Sequence, residues 1–123
     1  MSDALQSVIL IPVASAENLV GELRMKYDSS ASRGIPAHIT LLFPFRSPNN
    51  INQRLLDELA IFFRTVKSFT FSLIKVDTFP DVIYLTPSPR EPFIALTKSL
   101  ALRYPDTPPY EGKYPSINPH LTI

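Results

Sequence analysis

The chain has 123 residues, 45% hydrophobic and 19% charged, with a net charge of +1 and a pI of about 8.0. That suffices for one hydrophobic core and is too nearly neutral for nucleic-acid binding by bulk electrostatics, so an anionic ligand must be held locally. Cysteine is absent, which excludes disulfides and thiolate metal sites and fits a reducing cytoplasm, the compartment expected.

An apolar run from Val8 to Ala14 leads into Ala14-Ser15-Ala16, which imitates a signal-peptidase site. Only Asp3 is charged before it, and Pro12 interrupts it, so it reads as a strand over Ser7 to Val13 and not as an export signal. No stretch reaches the roughly 18 apolar residues of a membrane helix. Ser15 is placed to cap a helix from about Ala16 to Tyr27, whose Leu19, Val20, Leu23 and Tyr27 follow a helical period. A polar loop over residues 28–34 leads to Pro36 and a strand from His38 to Phe43 or Phe45, with both phenylalanines expected in the core. Asn49 or Asn50 can cap a second helix to about Val66, striped by Ile51, Leu55, Leu56, Leu59, Phe62, Phe63 and Val66.

Strands over Ser68 to Thr78 and Val82 to Thr86 follow, joined by the turn Phe79-Pro80-Asp81. Pro92 suits the first turn of a third helix with Phe93, Leu96 and Leu100 inward, ending near Tyr104-Pro105. A proline-rich loop to Pro119 delivers a last strand at His120. The order is β-α-β-α-β-β-α-β, an α+β chain without a composition break, read as one domain over residues 1–123.

The chain's two histidines open the same phrase, His38-Ile39-Thr40-Leu41 and His120-Leu121-Thr122-Ile123, each approached through a nearby proline, Pro36 or Pro119. In a strand, residues two apart share a face about 7 Å apart, so each histidine and its threonine point the same way while Ile39 and Leu121 point oppositely. Two such strands facing each other bring two imidazoles and two hydroxyls around one small anion. Imidazole titrates near neutral pH, so one ring can take a proton from water while the other gives one to a departing oxygen. The hydroxyls can donate to phosphate oxygens, and this chemistry needs neither metal nor cofactor.

The repeated H-x-T phrase resembles the two-histidine (2H) phosphoesterase superfamily, which includes the 2′-5′ RNA ligase-like proteins and cyclic nucleotide phosphodiesterases. The stretch Ala37-His38-Ile39-Thr40-Leu41-Leu42-Phe43-Pro44-Phe45 is similar to the bacterial 2′-5′ RNA ligase-like branch. The resemblance implies a bilobed, pseudo-twofold antiparallel-sheet fold with helices outside and a central cleft. It implies His38 and His120 as catalytic residues, Thr40 and Thr122 as phosphate-binding residues, and an RNA 2′,3′-cyclic phosphate end or a cyclic nucleotide as substrate. The family pattern continues beyond the second motif, so the expectation is a chain that continues past Ile123, an incomplete second lobe, and an under-covered apolar patch or unpaired strand edge beside Leu121 and Ile123.

A lone histidine in a strand is usually structural, but two in the same phrase weigh against that reading. Zinc would need carboxylates that neither motif supplies. The letters His-Ile-Thr also occur in histidine-triad hydrolases, but those cluster several histidines, which this chain does not. Arg33, Arg46 and Lys113 flank the motifs and are candidates for further phosphate contacts, against the more ordinary role of solvated surface charge. Tyr110 and Tyr114 are candidates for stacking on a base, against packing within their own loop. The competing functional reading is a non-catalytic module that binds an RNA end or nucleotide in the same cleft.

Overall fold

Period-two apolar patterns lay down five strands, and the longer periodic segments fold as helices against one face of the resulting sheet. The computed structural model describes residues 6–80, 82–109 and 117–123. The strands are β1 (Ser7–Pro12), β2 (His38–Phe45), β3 (Ser72–Phe79), β4 (Val82–Ser88) and β5 (Leu121–Thr122). The helices are α1 (Ala14–Tyr27), a single turn α2 (Ser29–Ser32), α3 (Gln53–Arg64) and α4 (Glu91–Arg103). The sheet is antiparallel in the order β1-β2-β5-β4-β3, so the two H-x-T strands are central neighbours. The fold is the expected mixed α+β type with an antiparallel sheet, and the two motif strands lie side by side in it.

Ile39 pairs with Leu121 across β2 and β5, and both are fully buried. Around them Leu41, Leu42 and Phe45, with Val20 of α1, Leu55 of α3, and Phe93, Leu96 and Leu100 of α4, form one core cluster. Pro92 sits in the first turn of α4, as the sequence requires of a residue without an N–H. The Thr97 hydroxyl of α4 donates to the Leu41 carbonyl at 2.7 Å, tying the helix to the middle of β2.

Several local features differ from the sequence expectation for identifiable reasons. Helix α1 starts at Ala14 without a side-chain cap, because the Val13 N–H is taken by the Ala37 carbonyl at 2.8 Å and the chain bends straight from β1 into the helix. Its buried stripe is Ala16, Val20 and Arg24; Leu19 is 80% exposed and Tyr27 also faces solvent. The helix is rolled to bring the Arg24 guanidinium inward, where it finds partners. Asn49 and Asn50 belong to a 3-10 turn (Pro48–Asn50) opened by Ser47, so the cap of α3 is Asn52, whose Oδ1 accepts the Leu55 N–H at 2.9 Å. Strand β3 begins at Ser72, because Phe69 and Phe71 leave the sheet to meet Phe93 edge-on at 5.3 and 5.0 Å.

The expected apolar patch is not at Leu121, which is 0% exposed between β2 and β4. Exposed apolar side chains lie further out, on β4 and β3. Val76 and Ile83, on the same sheet face, are at least half exposed, and the Ile83 carbonyl accepts the Ile123 N–H at 2.9 Å.

Candidate active site

The register of β2 against β5 determines what the repeat builds. With Ile39 opposite Leu121, one step either way sets His38 beside Thr122 and Thr40 beside His120. All four side chains leave the sheet on the face opposite the core. In an antiparallel pair, directly opposed residues lie about 5 Å apart and diagonal ones about 7–8 Å, so each histidine stands next to the other motif's threonine and diagonal to the other histidine. A local twofold axis through the Ile39–Leu121 pair relates the halves.

Both histidines and both threonines line one cleft of about 290 Å³. Each imidazole is pinned alike: His38 Nδ1 lies 2.8 Å from the Pro36 carbonyl and His120 Nδ1 2.7 Å from the Asn118 carbonyl, two residues upstream in both cases. A carbonyl oxygen only accepts, so Nδ1 carries the proton in each ring. The rings are supported differently. Tyr84 of β4, buried and paired with Thr122, meets the His120 ring at a centroid distance of 5.2 Å. The position beside His38 on β1 is Pro12.

One wall of the cleft is apolar, from Val8, Leu10, Ile35 and Phe43; the rim carries Asp28 and Arg33. Phe43 is 43% exposed and belongs to this wall, not to the core where strict alternation puts it. Leu10 pairs with Thr40 but Ile9 pairs with Leu42, so Leu41 is an extra residue in β2; a second irregularity separates Leu42 from Phe45. The first bulge turns Leu42 into the core and Phe43 into the cleft, and the second returns Phe45 to the core. Neither Phe43 nor Tyr84 is identifiable from the H-x-T spacing. The apolar doublet Leu41-Leu42 is the only trace of the first bulge in the sequence.

The remaining candidates separate. Arg33 reaches the cleft and has no ion-pair partner among the described residues, whereas Asp28 is paired with Arg24. Arg46 is not in the lining: its Nε and one terminal nitrogen each donate to Asp106 at 3.1 Å, and its guanidinium lies 5.0 Å from the Tyr104 ring centre. That fork holds the Asp106 carboxyl below the usual carboxylate range and raises Arg46 in turn. Tyr110, Lys113 and Tyr114 lie outside the described residues. Among the described residues no three His, Cys, Asp or Glu side chains cluster as a metal site would need.

A family model described as the 2′-5′ RNA ligase superfamily matches residues 12–123. The chain belongs to that superfamily. It is the 2H phosphoesterase superfamily that the repeated phrase resembles. No curated protein matches the chain. Both H-x-T phrases and every described residue of the cleft except Val8 and Leu10 fall inside the matched span. Among the described residues, no helix of this superfamily member is long and apolar enough to cross a membrane.

Proposed function

We propose that the protein is a metal-independent phosphoesterase that opens a cyclic phosphodiester, the 2′,3′-cyclic phosphate of an RNA end or a small nucleotide. The observation that carries this reading is the matched pinning of two imidazoles through Nδ1 in one cleft that both threonines also line. One Nε2, unprotonated, accepts a proton from water as its oxygen attacks phosphorus. The other, protonated, delivers its proton to the ribose oxygen whose bond to phosphorus breaks. The two histidines exchange protonation states and solvent restores them. Thr40 and Thr122 donate to the non-bridging oxygens, where negative charge builds up in the transition state.

Arg33 supplies the rim's unpaired positive charge, and the wall of Val8, Leu10 and Phe43 offers an apolar surface to the nucleoside. The same groups serve 2′-5′ ligation, in which a 5′ hydroxyl replaces water as the attacking group, gives its proton to one ring, and the 3′ oxygen departs with the proton of the other. The protein is expected to work in the cytoplasm, and its described portion to be part of a single domain.

The test is turnover of a nucleoside 2′,3′-cyclic monophosphate with and without a chelator. Turnover that survives chelation supports the proposal. Loss on chelation overturns metal independence, and tight binding without turnover converts the cleft into a binding module.

A further inference from the structure

Arg24 is the one arginine of the described chain that is fully buried, at 1% exposed, and the chemistry above does not use it. Its Nε donates to Asp28 Oδ2 at 3.0 Å, one terminal nitrogen donates to the Ile35 carbonyl at 3.0 Å, and the other reaches Glu17 at 3.5 Å. A buried ion pair adds little net stability over an apolar side chain of similar volume. What it adds is direction, because the guanidinium is planar and its N–H vectors are fixed. Here they fix both ends of the segment that forms the cleft rim on the His38 side, since Asp28 and Ile35 both line the cleft.

From Ile35 to the catalytic ring the connection is short and stiff. Pro36 follows Ile35, and its ring locks φ, so between the anchored Ile35 peptide and the Pro36 carbonyl only one torsion is soft. On the far side the Ala37 carbonyl is held by the Val13 N–H at 2.8 Å. The Pro36 carbonyl, the acceptor for His38 Nδ1 at 2.8 Å, is thus bracketed by two anchored peptides. His120 lies outside this arrangement, with its own carbonyl partner and the Tyr84 ring.

We propose that Arg24 is a positioning residue for His38: it clamps residues 28–35 so that the Pro36 carbonyl fixes the imidazole as its Nδ1–H tautomer with Nε2 toward the phosphate. The proposal builds on the role given to His38 above. Its test does not depend on turnover alone, because the chain has only two histidines and His120 is an internal control.

The experiment is two-bond ¹H–¹⁵N NMR of histidine-labelled protein, wild type and Arg24→Met, with steady-state kinetics on a nucleoside 2′,3′-cyclic monophosphate. In Arg24→Met, His38 is expected to become a mixture of tautomers while His120 keeps the Nδ1–H form. The kcat is expected to fall at least about tenfold with a smaller change in KM, as misplacement of a proton-transfer group produces. A folded variant with His38 and kcat unchanged overturns the proposal, as does equal disturbance of both histidines. Should Arg24→Met not fold, Arg24→Lys, which keeps the charge but cannot hold Asp28 and Ile35 with one planar fork, carries the same two outcomes. If wild type shows the pinned tautomers but no turnover, the functional reading falls and the clamp is judged by its NMR result alone.

Discussion

The two halves of the cleft carry the same four-residue phrase in different settings. The first lies in an eight-residue strand between β1 and β5, interrupted by bulges, and is approached by a loop that Arg24 ties down. The second lies in a two-residue strand that is central in the sheet, between β2 and β4, with Tyr84 against its histidine. In the first half Pro36 itself supplies the carbonyl that holds the ring; in the second Asn118 supplies it and Pro119 follows. What the halves share is the bond from Nδ1 to a carbonyl two residues upstream. The proposed function therefore rests on a small geometry, a pinned imidazole with a hydroxyl beside it, which a long strand and a very short one both deliver. The supports around it are free to differ.

The strongest way to break that equivalence is to remove one ring at a time. His38→Ala and His120→Ala are each expected to cost about 10² to 10⁴ in kcat, the range of general acid-base catalysis. The double variant should lose no more than the worse single one, because both rings serve one transition state. The wild-type rate should be bell-shaped between about pH 5 and 8, since one ring must be neutral and the other charged. Substantial activity in one single variant would show the halves to be functionally unequal, and a flat profile would contradict the acid-base assignment. A smaller loss is expected at the threonines. Thr40→Val and Thr122→Val remove one donor to the phosphate each, for about 10² to 10³ in rate. Comparable losses in the two variants would support the twofold arrangement, whereas a loss confined to one would place the phosphate off the axis.

How much of this is legible in the sequence depends on range. The order of elements, the inward Phe93, Leu96 and Leu100 of α4, and the shared face of each histidine and threonine follow from local periodicity. Pairing cannot be read locally. Nothing in either tetrapeptide says that Ile39 and Leu121 will lie opposite each other in one sheet. Strict alternation misplaces Phe43, because a single extra residue, Leu41, inverts the alternation after it. The apolar stripe of α1 is ambiguous in a related way. Leu19, Val20, Leu23 and Tyr27 outweigh Arg24 in any hydrophobicity count, and only Asp28 and the Ile35 carbonyl make the arginine the inward residue. Tyr84 carries no motif; it reaches His120 because β4 is the next strand in the sheet.

The smallest expected effect lies between the halves. Arg46 follows β2 and Asp106 follows α4, so their ion pair links the end of the first motif strand to the start of the segment leading to the second. Both side chains are partly exposed, so solvent screens the pair and it contributes no more than about 1 kcal/mol. The Asp106 carboxyl is held below its ordinary value, first by the hydrogen bond from Arg46. A carboxyl with a depressed folded-state pKa contributes stability that is fully present above the unfolded value, about 3.9, and is lost as pH falls through the lower folded value. Asp106→Asn should therefore be slightly less stable than wild type at pH 7 by chemical denaturation. The difference should shrink in high salt and vanish once the wild-type carboxyl is protonated below pH 3.9. Turnover should be unchanged, because the Arg46 fork stands outside the cleft lining. A tenfold fall in kcat/KM for Asp106→Asn would mean that this bridge sets the spacing of the two histidines, and the halves would then be one coupled unit and not two independent supports.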